Sequence, residues 1–530
     1  MSNKGKAQKN IVDWFKGLDN WNKLAVVIFG LTCLVTIGLM GTVISLNMLP
    51  MMYVGVIALL VGLVLFGVFK ALFITGFDNK KKKKPKNAVI TRLLGLVLAL
   101  SMVLVDAVGI SMITQLQDAI GDMTIGSLGD EAVVYEVVGV YVRADDHADE
   151  LKDVSAYDLG ISYAYSKENM EKAVSMMEES FSKEFAWDEY DTVVASVDAL
   201  LAGNEDAILM NTAYIAVIAG MEGYEDIETR VKLIYEFQVE DENATVLNLA
   251  TKPEDMTKES FIVYVSGNDT NYSLTNQRSD VNILVVVNPV TKQVLMINTP
   301  RDYYVQLTGS QEADGEWDKL THCGIYGIEC SMATLGDLYD QDVHYYTQVS
   351  FVGFKRLIDA MGGINVYSDA SFFSSHSETY VEKGYNFMNG EEALSFVRER
   401  KNLPDGDNAR GRHQMAVIKA IIDKAASGAI LTKYGAILDS MGSCFGTNLS
   451  ADEASDLVKM QLADMASWNI KSFAVIGEGY GEKNYTYSVP GQKVYVLPQN
   501  AAYVDHAKHL IDKVFDGETI TDEDLVVPTE

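Results

Sequence analysis

The chain opens with three long apolar runs. The first, about Leu24–Met48, carries no charge. The second, about Met52–Phe77, is interrupted only by Lys70. The third, about Ala88–Leu116, holds Arg92 near one end and Asp106 toward the other. Each exceeds the ~20 residues needed to cross a hydrocarbon core of about 30 Å, which predicts three transmembrane helices over 24–116. A cleaved leader has a shorter apolar stretch and is not followed by two further spans. The period of the pattern then changes. Val133–Val142 is apolar and β-branched, and Asp158–Tyr165 reads as a second strand. Glu168–Phe181 has helical spacing at Met170, Ala173, Met176 and Met177; Tyr190–Leu201 reads as another helix and Asp206–Asn211 as a strand. This predicts a small α/β accessory domain over 130–239. Residues 240–258 are polar, contain Pro253 and read as a linker.

Composition then narrows the class. Hydrophobic residues make up 48% and charged residues 22%, which excludes a disordered polyanion. A net charge of −30 argues against a general nucleic-acid binder, so no nucleic-acid partner is expected. Four cysteines in 530 residues exclude a disulfide scaffold. The charge is also split. Residues 1–115 hold 13 basic and 4 acidic residues, a net of +9, and the rest of the chain has a net of −39. Lys4, Lys6, Lys9, Lys16 and Lys23 precede the first run, and Lys80–Lys84 with Lys86 fill the loop 78–87. The excess of basic residues places residues 1–23 and that loop in the cytoplasm, and everything after about 116 outside the cell. The lysine run is a topology anchor or a lipid-binding site. Asp106 is either a buried functional carboxylate or a residue near the outer interface. The stretch around VDALLAGNEDAILMN resembles part of a periplasmic solute-binding lobe, without a recognisable ligand-binding constellation.

The chemistry lies beyond residue 258. Phe261–Ser266 reads as a strand followed by Gly267-Asn268-Asp269-Thr270. Arg278-Ser279-Asp280 leads into the strand Asn282–Val287, a turn over Asn288–Lys292, and a return strand Gln293–Asn298 that ends in Pro300-Arg301-Asp302. The start and finish of an antiparallel pair lie at one end, which gathers Arg278, Asp280 and Arg301, with Asp269 able to join them. Further on, Asn389 caps a helix that runs into Arg398-Glu399-Arg400. A helix from near Asn408 puts Arg410, Gln414, Val417 and Ile421 on one stripe. Two readings fit. In one, the arginines clamp phosphate oxygens and the Asp residues hold a divalent metal, a site for pyrophosphate with Mg²⁺ or Mn²⁺. In the other, the charges pair internally, Arg278 with Asp280 and Arg398 with Glu399 or Asp407.

The segments SGNDT, QRSDVNILVVVNPVTKQVLMINTPRDYYV, VSFVGFKRLIDAMGGINVY, MNGEEALSFVRERKNLPDGDNARGRHQMAVIKAI and YTYSVPGQKVYVLPQ resemble the LytR–CpsA–Psr family over about Phe261–Phe515. Three N-terminal spans and an intervening domain resemble its capsule-associated branch. The resemblance implies an α-β-α catalytic domain with a mixed central sheet over 259–517, and the residues beyond it, 518–530, read as an acidic tail. It implies a Gram-positive, membrane-anchored phosphotransferase. Such an enzyme moves teichoic acid, capsule or a related glycopolymer from undecaprenyl pyrophosphate to peptidoglycan, with pyrophosphate hydrolysis as a side activity. By the same resemblance Asp269 and Asp280 bind metal, while Arg278, Arg301, Arg398, Arg400, Arg410 and Gln414 bind pyrophosphate. Asp280, Arg278, Arg301, Arg398 and Asp407 would serve catalysis, and Asp269, Asp280 or Asp407 would accept the proton of the attacking hydroxyl. His413 departs from the family, where arginine is common beside the glutamine. The family stores its polyprenyl tail in an apolar channel, and Phe351, Phe354, Leu357, Ile358 and Met361 either line it or pack the core. A non-enzymatic sensor of polyprenyl phosphate or solute is the alternative function. Cys323 and Cys330 are a disulfide or two free thiols, and His322 is expected on a surface loop.

Overall fold

The computed structural model describes residues 14–45, 50–73, 88–125, 135–240, 251–268, 278–310, 312–377, 379–403, 406–427, 437 and 445–528. The chain divides into two units, 1–121 with 452–465, and 122–451 with 466–530. The first unit holds helices Asn20–Ser45, Met51–Leu72 and Ala88–Ile125. Three windows, Asn20–Ser45, Met51–Leu72 and Val89–Ser111, are long and apolar enough to cross a membrane, with mean hydropathies of 2.4–2.6. At most 17% of each window is buried, so these helices turn most of their apolar surface outward, as lipid permits. The third helix continues past the expected end at 116. Small residues let the helices approach: a Cβ on Gly95 would stand 2.8 Å from the Ala71 Cβ. Asp106 is buried against the first helix, where the Thr36 hydroxyl donates to it at 2.5 Å. The helix Ala451–Asp464 groups with this unit, and the Tyr53 hydroxyl donates to the Leu462 carbonyl at 3.0 Å.

The second unit begins with a five-stranded sheet: β1 (Tyr135–Arg143), β2 (Leu159–Ser162), β3 (Trp187–Tyr190), β4 (Ala207–Asn211) and β5 (Val231–Glu240). The order is β3-β2-β4-β1-β5, with β2 parallel to β3 and β4, and β1 antiparallel to β4 and β5. Helices Lys167–Phe181 and Val193–Ala202 make the crossovers that their apolar spacing predicts. β3 escapes a reading of the sequence because its four residues, Trp-Asp-Glu-Tyr, have no apolar run. Val197, Leu200, Tyr214 and Val217 form one core with Ile325, Val489, Val494 and Val496 of the C-terminal domain. The Tyr165 ring stacks on Tyr214 at 5.0 Å, and its hydroxyl donates to the Tyr487 carbonyl at 2.7 Å. The accessory domain is therefore seated on its neighbour through shared apolar packing. Of the linker expected at 240–258, residues 241–250 lie outside the described residues.

The C-terminal domain contains β6 (Phe261–Asn268), β7 (Val281–Asn288), β8 (Gln293–Asn298), β9 (Tyr304–Gln306), β10 (Trp317–Lys319), β11 (Tyr345–Ser350), β12 (Ile364–Ser368), β13 (Phe372–Phe373), β14 (Tyr380–Val381), β15 (Gly384–Met388), β16 (Phe445–Thr447), β17 (Asn469–Ala474), β18 (Glu482–Thr486) and β19 (Val489–Val496). Its main sheet runs β16-β11-β6-β7-β8-β17. It is mixed, with β11 parallel to β6, β17 parallel to β8, and β6-β7-β8 antiparallel. β7 is apolar at almost every position because both faces are covered. Leu284 and Val286 pack with Leu335 and Leu510 of helices Ile328–Tyr339 and Ala501–Phe515. Ile283 and Val285, on the opposite face, pack with Met415 of helix Asp407–Ala425. This is the α-β-α layering the resemblance implies. Residues 518–528, expected as an acidic tail, pack against the domain instead of trailing from it. Ile520 is buried in the core and donates its N–H to Gln293 Oε1 at 2.8 Å, while Asp524 pairs with Lys513 at 2.7 Å.

Candidate active site

The sheet gathers the first half of the site. Gly267 at the end of β6 pairs with Val281 at the start of β7, and Ile283 pairs with Asn298 at the end of β8. Asp280 and Arg301 flank those positions and meet: an Arg301 guanidinium nitrogen lies 2.7 Å from Asp280 Oδ1. The Thr321 hydroxyl donates to the same oxygen at 3.2 Å. Both charged side chains are 19% exposed. Burial alone would raise the Asp280 carboxyl, but Arg301, Arg278 and Arg410 outweigh it and hold the group below the ordinary carboxylate value of 3.8. Asp302 sits under Arg301, with Lys319 Nζ 3.2 Å from its other oxygen.

Two helices bring the second half. Asn389 accepts the Glu392 N–H at 3.0 Å while Glu392 accepts the Asn389 N–H at 2.9 Å, a reciprocal cap that starts helix Gly390–Arg398. That helix ends on Arg398, whose guanidinium lies 4.5 Å above the Phe351 ring. Glu399 is fully buried, and its carboxylate accepts the backbone N–H groups of Arg400 at 2.9 Å, Asn402 at 3.0 Å, and Ser375. Burial would raise this carboxyl too, but those N–H groups hold it below 4.5. Gly411 lets helix Asp407–Ala425 approach the end of β8, because a Cβ there would overlap the Asn298 amide. That approach carries Arg410 and Gln414 to the site.

The two halves enclose a cavity of about 440 Å³. Asp280, Arg301, Arg398, Arg400, Lys401, Arg410 and Gln414 line its charged part. The remainder is mostly apolar, with Val265, Val349, Phe351, Phe354, Leu357, Leu394, Val397, Val417, Ile418, Ile421 and Phe445, and with Thr347, Ser350 and His376 as its polar members. All four positions of the stripe Arg410, Gln414, Val417 and Ile421 line this one cavity. Phe351, Phe354 and Leu357 line it as well, whereas Ile358 and Met361 are buried core residues.

Two of the internal pairs expected from the sequence, Arg278 with Asp280 and Arg398 with Glu399, are not the contacts observed, and the Arg398–Asp407 alternative involves a side chain outside the described residues. The ion-pair partner of Asp280 is Arg301, and Glu399 serves backbone amides. Arg278 does not line the cavity. Its Nε is buried without a hydrogen-bond partner among the described residues, and its charge acts on Asp280. Asp269 and the side chain of Asp407 lie outside the described residues. His413 does not line the cavity: it is buried, with its ring centre 4.0 Å from that of Phe396 and 5.4 Å from that of Phe372, and burial lowers its pKa. A core histidine thus replaces an arginine without removing charge from the cavity. Lys401 and His376, which also line the cavity, were missed. Lys401 adjoins the arginine motif and was there to be found; His376 comes from a hairpin with no motif of its own. A carbonyl only accepts, so His376 Nε2, 3.2 Å from the Arg398 carbonyl, carries the proton.

Among the described residues, no group of three or more His, Cys, Asp or Glu converges as a metal cage. A cation such as Mg²⁺, held by one or two carboxylates plus phosphate and water oxygens, needs no such cage, and Asp280 suits that role. Elsewhere, Cys323 and Cys330 are both buried free thiols, and burial pushes the Cys323 thiol well up. His322 is buried, not exposed on a loop: its Nδ1 lies 2.6 Å from Asp318 and 2.8 Å from the Ser488 hydroxyl.

A family model described as LytR_cpsA_psr matches residues 225–502. A polyisoprenyl-teichoic acid–peptidoglycan teichoic acid transferase TagU from Bacillus cereus is 35% identical over 183 residues, covering 34% of this chain and 58% of the relative. The protein of the same name from Halalkalibacterium halodurans is 30% identical over 238 residues, 44% of this chain and 76% of that one. Among solved structures, B. subtilis TagV is 26% identical, with a TM-score of 0.41, over 50% of this chain and 99% of that one. TagT bound to LI-WTA is 28% identical, with a TM-score of 0.40, over 50% of this chain and 94% of that one. The chain thus spans 58% of the length of the Bacillus cereus relative.

Proposed function

The chain belongs to the LytR–CpsA–Psr family, and from that premise we propose that it is a membrane-anchored phosphotransferase. It moves a glycopolymer from a polyprenyl pyrophosphate carrier to peptidoglycan. The observation that carries this reading is the divided cavity. Arginines line one part and mainly hydrocarbon the other, which suits a single ligand that is anionic at one end and apolar at the other. A prenyl pyrophosphate has that form. The apolar part, between the sheet and helices Phe351–Ala360 and Asp407–Ala425, takes the prenyl chain. Related proteins named as teichoic acid transferases support teichoic acid or a similar polymer as the cargo.

In the proposed reaction an acceptor hydroxyl attacks the phosphorus that bears the glycopolymer. A new O–P bond forms, the bridging P–O bond breaks, prenyl phosphate departs and the hydroxyl proton is lost to a base. Arg398, Arg400 and Arg410 neutralise the non-bridging oxygens and the leaving phosphate, where charge builds in the transition state. Arg301 holds Asp280 ionised and oriented. Asp280 and Asp269 would hold Mg²⁺ or Mn²⁺, which would supply further charge neutralisation when bound. The lysine-rich flanks support a cytoplasmic N-terminus and an extracellular second unit, on the same side as peptidoglycan. The test is the lipid that copurifies with the full chain. Mass spectrometry should find a polyprenyl phosphate or pyrophosphate, with much less on Arg398→Ala. A chain that carries none, and binds none when it is added, contradicts the reading.

A further inference from the structure

Residues 364–388 form one interrupted hairpin, β12 with β15 and β13 with β14. Its inner face is committed. Val366, Phe372, Val381 and Met388 pack with Phe396 and Val417 of the two helices that supply Arg398 and Arg410. Its outer face is apolar as well. Tyr367, Phe373, Tyr380, Tyr385 and Phe387 are between 49% and 73% exposed. They pair across the strands: Tyr367 faces Tyr385 with ring centres 5.3 Å apart, and Phe373 faces Tyr380 at 4.8 Å. Folding gains nothing by leaving five rings in water, and exposed rings gathered on one hairpin mark a contact surface.

The patch leads to the site. Between Phe373 and Tyr380 the chain turns, and His376 in that turn lines the cavity beside Arg398. Asn402, two residues past Arg400, donates to the Phe373 carbonyl at 2.8 Å. The same turn is held by Glu399 through the Ser375 N–H.

We infer that the outer face of this hairpin docks the acceptor, a glycan strand, and guides its hydroxyl to the cavity; this rests on the transfer reaction proposed above. The chemistry of the patch favours sugar. The C–H face of a pyranose stacks on the electron-rich face of an aromatic ring. Three of the five rings are tyrosines, and Asn365, on the same face as Tyr367, is a hydrogen-bonding neighbour for hydroxyl and acetamido groups. An anionic lipid surface, the other class of partner for exposed aromatics, is attracted by clusters of lysine and arginine. The hairpin has three acids, Asp369, Glu378 and Glu382, against the single lysine Lys383. An extended polymer lying along the rings passes the cavity at His376, as an acceptor of group transfer must.

The test uses the full chain in detergent and two double variants, Tyr367→Ser with Tyr385→Ser and Phe373→Ser with Tyr380→Ser. The probes are uncrosslinked peptidoglycan glycan strands, a short-chain prenyl pyrophosphate, and vesicles containing phosphatidylglycerol. Each double variant should bind glycan strands about tenfold more weakly, and raise the acceptor KM about as much, through lost stacking. Its thermal unfolding, prenyl pyrophosphate affinity and kcat should stay unchanged. Wild-type glycan affinity and acceptor KM in both double variants overturn the inference. So does a loss confined to vesicle binding, which would make the patch a membrane contact. If the unmutated chain binds glycan strands through these rings but transfers nothing to them, the docking surface stands and the transfer reaction fails.

Discussion

Replacing Glu399 by glutamine should loosen the arginine site without touching an arginine. One carboxylate oxygen accepts the N–H groups of Arg400 and Asn402, and the other accepts that of Ser375. An amide has one accepting oxygen. Its best orientation keeps the first pair and turns an NH₂ toward Ser375, leaving a buried donor facing a donor. A hydrogen bond to a charged group is worth about 1.5–3 kcal/mol, so the variant should lose roughly 2 kcal/mol. At about 2–4 °C per kcal/mol the melting temperature should fall by about 4–8 °C. Arg398 and Arg400 flank the released residue, so affinity for a short-chain prenyl pyrophosphate should fall about tenfold, the equivalent of about 1.4 kcal/mol. The pH dependence gives a second signature. The Glu399 carboxyl is held below 4.5 in the folded chain, so its contribution is present above 4.5 and lost as pH falls through the lower folded value. That acid-side loss should be smaller in the variant. Scanning calorimetry and isothermal titration measure both effects. A Glu399→Gln chain with wild-type melting temperature and wild-type affinity would refute the claim that this carboxylate positions the arginines.

Other expectations follow from the same geometry. Arg301→Ala removes the closest charge from Asp280, so the carboxyl should titrate at higher pH, and the acid limb of the pH–rate profile should move up with it. An unmoved limb would mean that Asp280 does not govern it. Ile421→Trp fills part of the apolar chamber from a partly buried position; it should abolish binding of long prenyl pyrophosphates and spare short ones, read by competition between chain lengths. Ile325→Ala removes a buried residue shared with the accessory domain and should cost about 2–4 kcal/mol. If the accessory domain were only a spacer, proteolysis of residues 135–240 would be unchanged in that variant. Protease shaving of intact cells should remove the second unit, and a protected one would contradict the export argument.

Much of this was legible in the sequence because local rules sufficed. The apolar runs gave the membrane helices, and the β7–β8 turn placed Asp280 beside Arg301 without any knowledge of the rest of the sheet. Helical spacing put Arg410, Gln414, Val417 and Ile421 on one wall. What escaped depends on contacts between segments distant in the chain. Glu399 reads as a salt-bridge partner for its neighbour arginine; only its burial against the 375 turn shows that it binds backbone. His322 reads as a loop residue until Asp318 and Ser488 close over it. The last acidic residues read as a tail because the apolar positions that dock them, among them Ile520, are few and scattered.

The central claim is transfer. The direct measurement incubates the purified full chain with a radiolabelled polyprenyl-pyrophosphate-linked glycopolymer, peptidoglycan and Mg²⁺, and follows label in the insoluble wall and prenyl phosphate in solution. Both should appear in equal amounts and be lost together in Arg398→Ala. Tight binding of the donor with no labelled wall and no prenyl phosphate, under any divalent metal, would contradict it and leave a binding protein in its place.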